Sequence, residues 1–314
     1  MVNKKYAFLF PGQGAQYTGM GLDFAAVKSA APIFEIAQDV MGQDMLELLE
    51  TADADELKRT SIAQPAITVV NLAAAAALKE RGILPSACAG HSLGEYAALC
   101  SAGVFSVRDC ISLVKQRGAF MQEAAEAIKS GGGTVMAAII GLEISKIENI
   151  IENAHQNGIT NVYIANYNSS KQTVVSGLPE DMAKVEPLFK EAGARRFMPL
   201  KVAGPFHSPL MAEAENKFAA VLEGVKFSEM QVPVFSNVSG AVVSSAAEAK
   251  SLLLKQITSG VRWTAEERGI AALRVDAAIE VGPGTVLSGL WADEILQIPV
   301  FKAGTMKDIQ NAEY

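Results

Sequence analysis

The chain alternates between short apolar runs and longer stretches whose apolar residues recur at helical spacing. The runs at 6–10 and 277–281 predict buried strands, and the first of them ends at Pro11-Gly12, where a loop begins. A further strand is expected over 232–237. Helical spacing predicts helices over about 23–50, 55–60, 64–81, 107–128, 209–224 and 246–258. With half of the 314 residues apolar, the chain is expected to bury a large core in one or two domains.

A glycine-rich break at Ser130–Gly133 introduces a segment in which the order of elements changes. The pattern there predicts strand, helix, strand, strand, helix and strand, over 134–140, 143–157, 162–167, 172–176, 179–192 and 196–202. This βαββαβ order is typical of the ferredoxin-like split βαβ unit. We therefore expect a small ferredoxin-like domain over 133–203, inserted into a larger domain formed by 1–132 and 204–314.

Charge and cysteine content narrow the class of protein. A net charge of −7 argues against a general nucleic-acid-binding protein. The apolar run at 67–78 is interrupted by Asn71, which favours a buried helix over a membrane span. Cys88, Cys100 and Cys110 lie in apolar surroundings without metal-ligand spacing, which predicts core thiols in a reducing compartment. A cytoplasmic protein is therefore expected, with neither nucleic acid nor a membrane as partner.

One motif has the local context of a nucleophile elbow. Gly90, Ser92 and Gly94 form a Gly-x-Ser-x-Gly sequence between a run of small apolar residues and a helical pattern. The glycines allow a strand and a helix to approach closely, and the helix N-terminus directs N–H groups at an oxyanion. The alternative is a serine in an ordinary strand–helix turn. The flanking pattern favours a nucleophile.

A serine nucleophile needs a base, and the chain contains three histidines. His91 precedes Ser92 and is expected to point to the opposite side of the turn. His155 lies near the end of a predicted helix and is interpreted as an exposed residue there. His207 follows a Gly-Pro loop and is the candidate base by elimination. Since Asp181 lies inside the insert, a carbonyl rather than a carboxylate is expected to orient the imidazole.

An arginine interrupts the apolar face of the predicted helix over 107–128. Arg117 lies three residues after Val114 and four before Met121, both of which belong to the apolar stripe. A charge on a buried face is costly unless it is paired. Arg117 is therefore either a snorkelling or ion-paired structural residue or a binding residue for a substrate carboxylate.

Five motifs together resemble a known family. In chain order they are Pro11-Gly12-Gln13-Gly14, Gly90-His91-Ser92-Leu93-Gly94-Glu95, Gln116-Arg117-Gly118, Phe206-His207-Ser208 and Gly282-Pro283-Gly284. In this order and at these separations they resemble the malonyl-CoA:acyl carrier protein transacylases of fatty-acid and polyketide synthesis. The resemblance covers essentially the whole chain. It implies an α/β fold, in which a hydrolase-like large domain with a parallel sheet meets the small domain at an active-site cleft.

The resemblance also implies roles for individual residues. Ser92 matches the acylated nucleophile, and His207 matches the general base. Arg117 matches the arginine that binds the malonyl carboxylate. Gln13 and Leu93 match the residues whose backbone N–H groups form the oxyanion hole.

Two further positions follow from the same resemblance. Gln256 is similar to the glutamine whose main-chain carbonyl orients the histidine. Phe206, directly before His207, is similar to the malonyl-selecting form of that dipeptide.

The implied reaction is a ping-pong transfer that supplies extender units for fatty-acid synthesis. A malonyl group passes from malonyl-CoA to Ser92 and then to the phosphopantetheine thiol of acyl carrier protein. No metal or bound cofactor is implied, since CoA is a substrate. Carrier proteins are acidic, so basic residues are expected near the mouth of the cleft.

Three alternatives remain open at this point. One is a stand-alone acyltransferase that serves a polyketide synthase. Another is a serine hydrolase or thioesterase, which differs only in the access of water to malonyl-Ser92. The third is a non-enzymatic scaffold for a carrier protein, which would form no acyl-enzyme.

Overall fold

The computed structural model describes residues 4–314; residues 1–3 of the expected larger domain lie outside the described range. Its strands are β1 Tyr6–Phe10, β2 Pro85–Gly90, β3 Val135–Ile140, β4 Val162–Ser169, β5 Gln172–Gly177, β6 Arg196–Pro199, β7 Ala277–Glu280 and β8 Val300–Lys302. Its helices are α1 Ala31–Met41, α2 Met45–Thr51, α3 Thr60–Glu80, α4 Gly94–Ser101, α5 Val107–Ser130, α6 Ile144–Gln156, α7 Pro179–Glu191, α8 Ala212–Glu223, α9 Ala246–Lys255, α10 Trp263–Ala272, α11 Val286–Glu294 and α12 Met306–Asn311. Short 3-10 helices cover Leu22–Ala26, Glu56–Lys58 and Pro209–Met211.

A parallel sheet forms the centre of one part of the molecule. Its strand order is β2-β1-β7-β8, and every pairing in it is parallel. All five residues of β1 are buried, which explains why this strand is a continuous apolar run rather than an alternating one. The expected α/β fold with a parallel sheet is confirmed. The carboxyl ends of β1 and β2 lead directly into the loops that carry Gln13 and Ser92.

A second, antiparallel sheet is built from the segment that follows the glycine-rich break. The chain order is β3, α6, β4, β5, α7 and β6, and the sheet order is β4-β5-β3-β6. Strand β6 ends at Pro199, three residues earlier than expected. A hydrogen bond of 3.1 Å from the N–H of Val202 to the C=O of Leu200 turns the chain away from the ladder.

Helix α3 is the one helix in residues 4–314 that is long and apolar enough to cross a membrane, and 83% of its 18-residue apolar window is buried inside the protein. It packs against α5 in the largest hydrophobic cluster, as a core helix does. Helix α5 begins at Val107, as predicted, and Ser106 caps it: its Oγ accepts a hydrogen bond of 3.1 Å from the N–H of Asp109. The three cysteines are free, and Cys88 and Cys110 are buried.

Some elements differ from the sequence-based expectation. The helix expected over 23–50 is divided, because Gly42 adopts φ +73° at the end of α1 and Asp44 caps α2. The strand expected over 232–237 forms only isolated bridges, from Val234 to Cys88 and from Phe235 to Val242. Elements α10, α11, β8 and α12 were not predicted.

Candidate active site

Ser92 lies on a sharp turn between β2 and α4. A Cβ atom at Gly90 would lie 2.0 Å from the carbonyl carbon of Gly94, and one at Gly94 would lie 1.9 Å from the oxygen of Phe10. Both neighbours are backbone atoms, so neither position accepts a larger residue. Ser92 itself adopts φ +52°, which costs on the order of 1–3 kcal/mol in a residue other than glycine. The expected elbow is therefore present, and its backbone is strained at the serine.

The loop after β1 lies against this turn. A Cβ atom at Gly12 would lie 2.3 Å from the oxygen of His91 and 3.6 Å from the nitrogen of Leu93. Within residues 4–314, the backbone N–H groups of Gln13 and Leu93 have no hydrogen-bond partner. The two groups expected to form an oxyanion hole are thus free to donate.

His207 reaches the serine from a loop far along the chain. Its Nε2 lies 2.7 Å from the Oγ of Ser92, and its Nδ1 lies 3.0 Å from the main-chain oxygen of Gln256 and 3.2 Å from that of Ser259. Because carbonyl oxygens only accept, Nδ1 carries the proton and Nε2 accepts from the hydroxyl. The structure therefore places the carbonyl of Gln256 at the position expected from the sequence.

The electrostatic surroundings of His207 keep it neutral. Burial and the nearby positive charge of Arg117 lower the pKa of His207 from its usual 6.5 to about 3, although its bonds to the two carbonyls act in the opposite direction. A neutral imidazole at pH 7 can accept a proton from Ser92.

Arg117 lies beside the same hydroxyl with its charge unpaired. It is fully buried, and its Nη2 donates to the Oγ of Ser92 at 3.2 Å and to the Oε1 of Gln256 at 3.0 Å. Its guanidinium carbon lies 5.4 Å from the centre of the Tyr96 ring, and its Nε has no partner. Among the residues that the structure describes, no carboxylate forms an ion pair with it. Arg117 is therefore neither snorkelling nor ion-paired, and its role as a binding residue for a substrate carboxylate stays a prediction.

A buried polar network behind the turn was missed by the sequence analysis. The Nε2 of Gln256 donates to the main-chain oxygen of Ser92 at 2.9 Å and to the Oε2 of Glu95 at 2.5 Å. The Oδ1 of Asn237 accepts from the N–H of Ser92 at 2.7 Å. Burial raises the pKa of Glu95 to about 7, although the bond from Gln256 opposes that shift. The available signal was Glu95, the one charged residue of helix α4, whose neighbours are mostly apolar.

The site opens into a cleft of about 710 Å³ between the two sheets. Ser92, His207 and the buried ring of Phe206 line its floor. Met136, Ala138 and Val174 of the antiparallel sheet form an apolar wall, and Arg195 and Arg196 also line the cleft. The cleft thus combines a reactive floor, an apolar wall and two basic side chains.

The other two histidines have different surroundings from those expected. His91 lines the same cleft as Ser92, and its Nε2 lies 2.8 Å from the Oδ1 of Asn168, so the expectation that it points to the opposite side is wrong. His155 is half-buried, and its Nε2 lies 2.8 Å from the oxygen of Val162. Neither histidine has a hydrogen bond to Ser92 within the described part of the chain.

No group of three or more histidine, cysteine, aspartate or glutamate side chains in residues 4–314 is arranged to hold a metal ion.

A protein-family model identifies the class of enzyme to which the chain belongs. Residues 7–306 match the family model described as "Acyl transferase domain". This match covers most of the chain, and it places the protein among the acyltransferases, whose chemistry a serine bonded to a neutral histidine can perform.

Curated relatives and solved structures narrow the class. The malonyl CoA-acyl carrier protein transacylase of Bacillus subtilis is 41% identical over 287 residues, covering 91% of this chain and 89% of the relative. That of Escherichia coli K12 is 38% identical over 291 residues, covering 91% of each chain. The structure of MCAT from Streptococcus pneumoniae superposes with a TM-score of 0.91 at 36% identity and 98% coverage of both chains. The chain belongs to the malonyl CoA-acyl carrier protein transacylase family.

Proposed function

We propose that this protein transfers the malonyl group of malonyl-CoA to the phosphopantetheine thiol of acyl carrier protein through a malonyl-Ser92 intermediate. One observation carries the proposal. The hydroxyl of Ser92 is bonded both to the neutral base His207 and to the unpaired, buried Arg117. A nucleophile and a carboxylate receptor therefore meet at one oxygen, which suits an acyl group that carries a carboxylate.

In the first half-reaction, Nε2 of His207 takes the proton of Ser92 as Oγ attacks the thioester carbonyl. The planar fork of Arg117 binds the malonyl carboxylate. The N–H groups of Gln13 and Leu93 stabilise the oxyanion, each contributing roughly 3–4 kcal/mol in comparable sites. The C–S bond then breaks, and His207 returns its proton to the departing CoA thiolate.

In the second half-reaction, His207 takes the proton of the carrier thiol, and the sulfur attacks the malonyl ester. The intermediate collapses with Ser92 Oγ as leaving group, and His207 protonates it. No metal or bound cofactor takes part in this scheme, since CoA enters as substrate and leaves as product.

The proposal includes a finer description of the fold and location. A hydrolase-like domain over 1–132 and 204–314 would hold Ser92 and His207, and a ferredoxin-like domain over 133–203 would form the opposite wall of the cleft. The βαββαβ order and the sheet order β4-β5-β3-β6 support the second part. A cytoplasmic location accords with the free cysteines.

A polyketide pathway is the second candidate for the same chemistry. One solved relative is described as a type II PKS acyl-carrier protein in complex with its malonyl-transacylase; it has a TM-score of 0.90 and 36% identity over 98% of each chain. Transfer rates to a panel of fatty-acid and polyketide carrier proteins would separate the two pathways.

The decisive experiment is intact-protein mass spectrometry after mixing with malonyl-CoA, followed by addition of holo acyl carrier protein. We expect a malonyl adduct that disappears as the carrier gains the same mass, and no adduct in Ser92→Ala. An adduct that persists in Ser92→Ala would overturn the assignment of the nucleophile. Loss of the adduct to water at the same rate with and without carrier would instead indicate a hydrolase.

A further inference from the structure

We infer that Asn237 is a positioning residue that holds the nucleophile turn in its reactive shape, a role that rests on the proposed function of Ser92. Its side chain connects the two sides of the turn. The Oδ1 accepts from the N–H of Ser92 at 2.7 Å, and the Nδ2 donates to the C=O of Gly90 at 2.8 Å and to the Oε1 of Glu266 at 2.9 Å. One carboxamide thus bridges two peptide groups separated by His91.

The fold brings Asn237 to this point through an extension of the parallel sheet. The N–H of Cys88 donates to Pro233 at 2.9 Å, and the N–H of Phe235 donates back to Cys88 at 3.0 Å. The segment therefore runs parallel to β2, and its carboxyl end lies beside the elbow. Asn237 is fully buried there, and its own C=O accepts from the N–H of Arg262 at 2.8 Å.

Asn237 and Gln256 act on the two peptide groups that flank Ser92. Asn237 binds the N–H of the preceding peptide, and Gln256 binds the C=O of the following one, at 2.7 and 2.9 Å. The N–H in that following peptide belongs to Leu93, which is free to donate into the cleft. The two amides also contact each other, with Gln256 Nε2 3.2 Å from Asn237 Oδ1. Together they fix both the strained serine and the direction of an oxyanion donor.

The surroundings explain why a carboxamide is needed rather than a carboxylate. Two acids face Asn237: Glu95 of α4, whose Oε2 accepts its backbone N–H at 3.4 Å, and Glu266 of α10. Arg117 of α5 and His207 lie behind Gln256, and Glu267 lies next to Glu266 on α10. An asparagine supplies an acceptor and two donors without charge. An aspartate at position 237 would have no N–H to donate to the C=O of Gly90. Its carboxyl group would also lie beside those of Glu95 and Glu266, and like charges repel.

The test compares Asn237→Leu and Asn237→Asp with Leu222→Ala, a core variant of α8 that removes packing outside the cleft. Each is measured by thermal melting, single-turnover acylation with malonyl-CoA, and labelling of Ser92 by a small fluorophosphonate. We expect Asn237→Leu to slow acylation and labelling by about 10–100-fold, since misplaced catalytic groups cost rates of that order, with KM unchanged within a few-fold. Leu222→Ala should lower the melting temperature without this loss of rate.

If Asn237→Leu fails to fold, the pH dependence of Asn237→Asp still tests the inference. Its rate relative to the parent should rise as the pH is lowered, because a protonated carboxyl regains a donor for Gly90. A rate within about threefold of the parent in either Asn237 variant, or a pH-independent ratio in Asn237→Asp, would overturn the inference. Parent protein that labels with fluorophosphonate but takes no malonyl group would instead overturn the proposed function alone.

Discussion

The Oγ of Ser92 lies 2.7 Å from the Nε2 of His207, and both residues adopt a left-handed backbone, with φ of +52° and +57°. Within residues 4–314, Arg274 is the one other residue besides glycines with a positive φ. Such a conformation costs on the order of 1–3 kcal/mol per residue and persists where surrounding contacts enforce it. Two of the three such residues in the described part of the chain are therefore the pair that would exchange a proton.

Removing the imidazole should slow acylation while leaving the fold intact. His207→Ala is expected to reduce the single-turnover rate with malonyl-CoA by a factor on the order of 10²–10⁴, because general-base catalysis is lost. Stopped-flow or quench-flow mass spectrometry measures this rate. If it stays within a few-fold of the parent rate, another group is the base.

The low pKa of His207 also predicts how stability depends on pH. Its folded pKa of about 3 lies below the ordinary 6.5, so the unfolded chain binds a proton first as the pH falls. As the pH falls from about 7 to about 5, the unfolding free energy of the parent should therefore decrease by about 2 kcal/mol because of this residue. The same decrease should be absent in His207→Gln. Urea unfolding of both proteins at the two pH values measures the difference. Equal losses would mean that the imidazole is not held neutral.

Arg117 should determine the preference for malonyl over acetyl groups. Arg117→Ala is expected to cut malonyl transfer by roughly 10²-fold or more and to leave acetyl transfer level or improved, since no buried charge remains without a partner. Arg117→Lys should recover only part of the malonyl rate, because an ammonium lacks the bidentate fork.

A matched control lies on the same helix. Arg108 forms an exposed ion pair with Asp39, and Arg108→Ala should leave both rates unchanged. Acylation rates with malonyl-CoA and acetyl-CoA decide the outcome. Equal losses on both substrates in Arg117→Ala would show that Arg117 has a structural role.

Phe206 should select against a methyl branch next to the reacting carbonyl. Its ring is buried in the floor of the cleft directly before His207. Phe206→Ser should raise methylmalonyl transfer relative to malonyl transfer by tens of fold, because a pocket discriminates one methyl group by about 1–3 kcal/mol. Competition assays with the two CoA esters measure the ratio, and Phe120→Ser, outside the cleft, is the control. An unchanged ratio would exclude the steric explanation.

The close approach at the elbow should make Gly94 irreplaceable. Gly94→Ala would place a Cβ atom 1.9 Å from the oxygen of Phe10, and is expected to cost about 3 kcal/mol or more and to abolish acylation. Gly289→Ala is the control, since nothing lies within 4 Å of its Cβ position in the exposed face of α11. It should stabilise the protein by about 0.5–1 kcal/mol. Denaturant unfolding that ranks the two variants equally would contradict the packing explanation.

Sequence reasoning selected residues that the structure brings together where a few neighbouring residues carry the signal. Gly90 is required by crowding against Gly94 within the turn, and Gly94 by the close approach of the Phe10 carbonyl at the end of β1. Both glycines lie two residues from Ser92, so their spacing is visible without a structure. The unpaired Arg117 stood out because a charge interrupts an apolar helical stripe. His207 was identified because the chain has few histidines and because it lies outside any apolar periodicity.

The sequence by itself thus determined the strained turn, the candidate base and the buried charge, since each follows from local sterics or from the cost of burying a charge. Only the tertiary structure showed which side chains hydrogen-bond to the backbone of Ser92 and fix the turn. The partners Asn237 and Gln256 lie 145 and 164 positions from Ser92, and His91 proved to face the cleft. Hydrogen bonds over such separations depend on which strand ends and loops meet at one edge of the sheet. That meeting is set by packing of the whole core, and no local pattern encodes it.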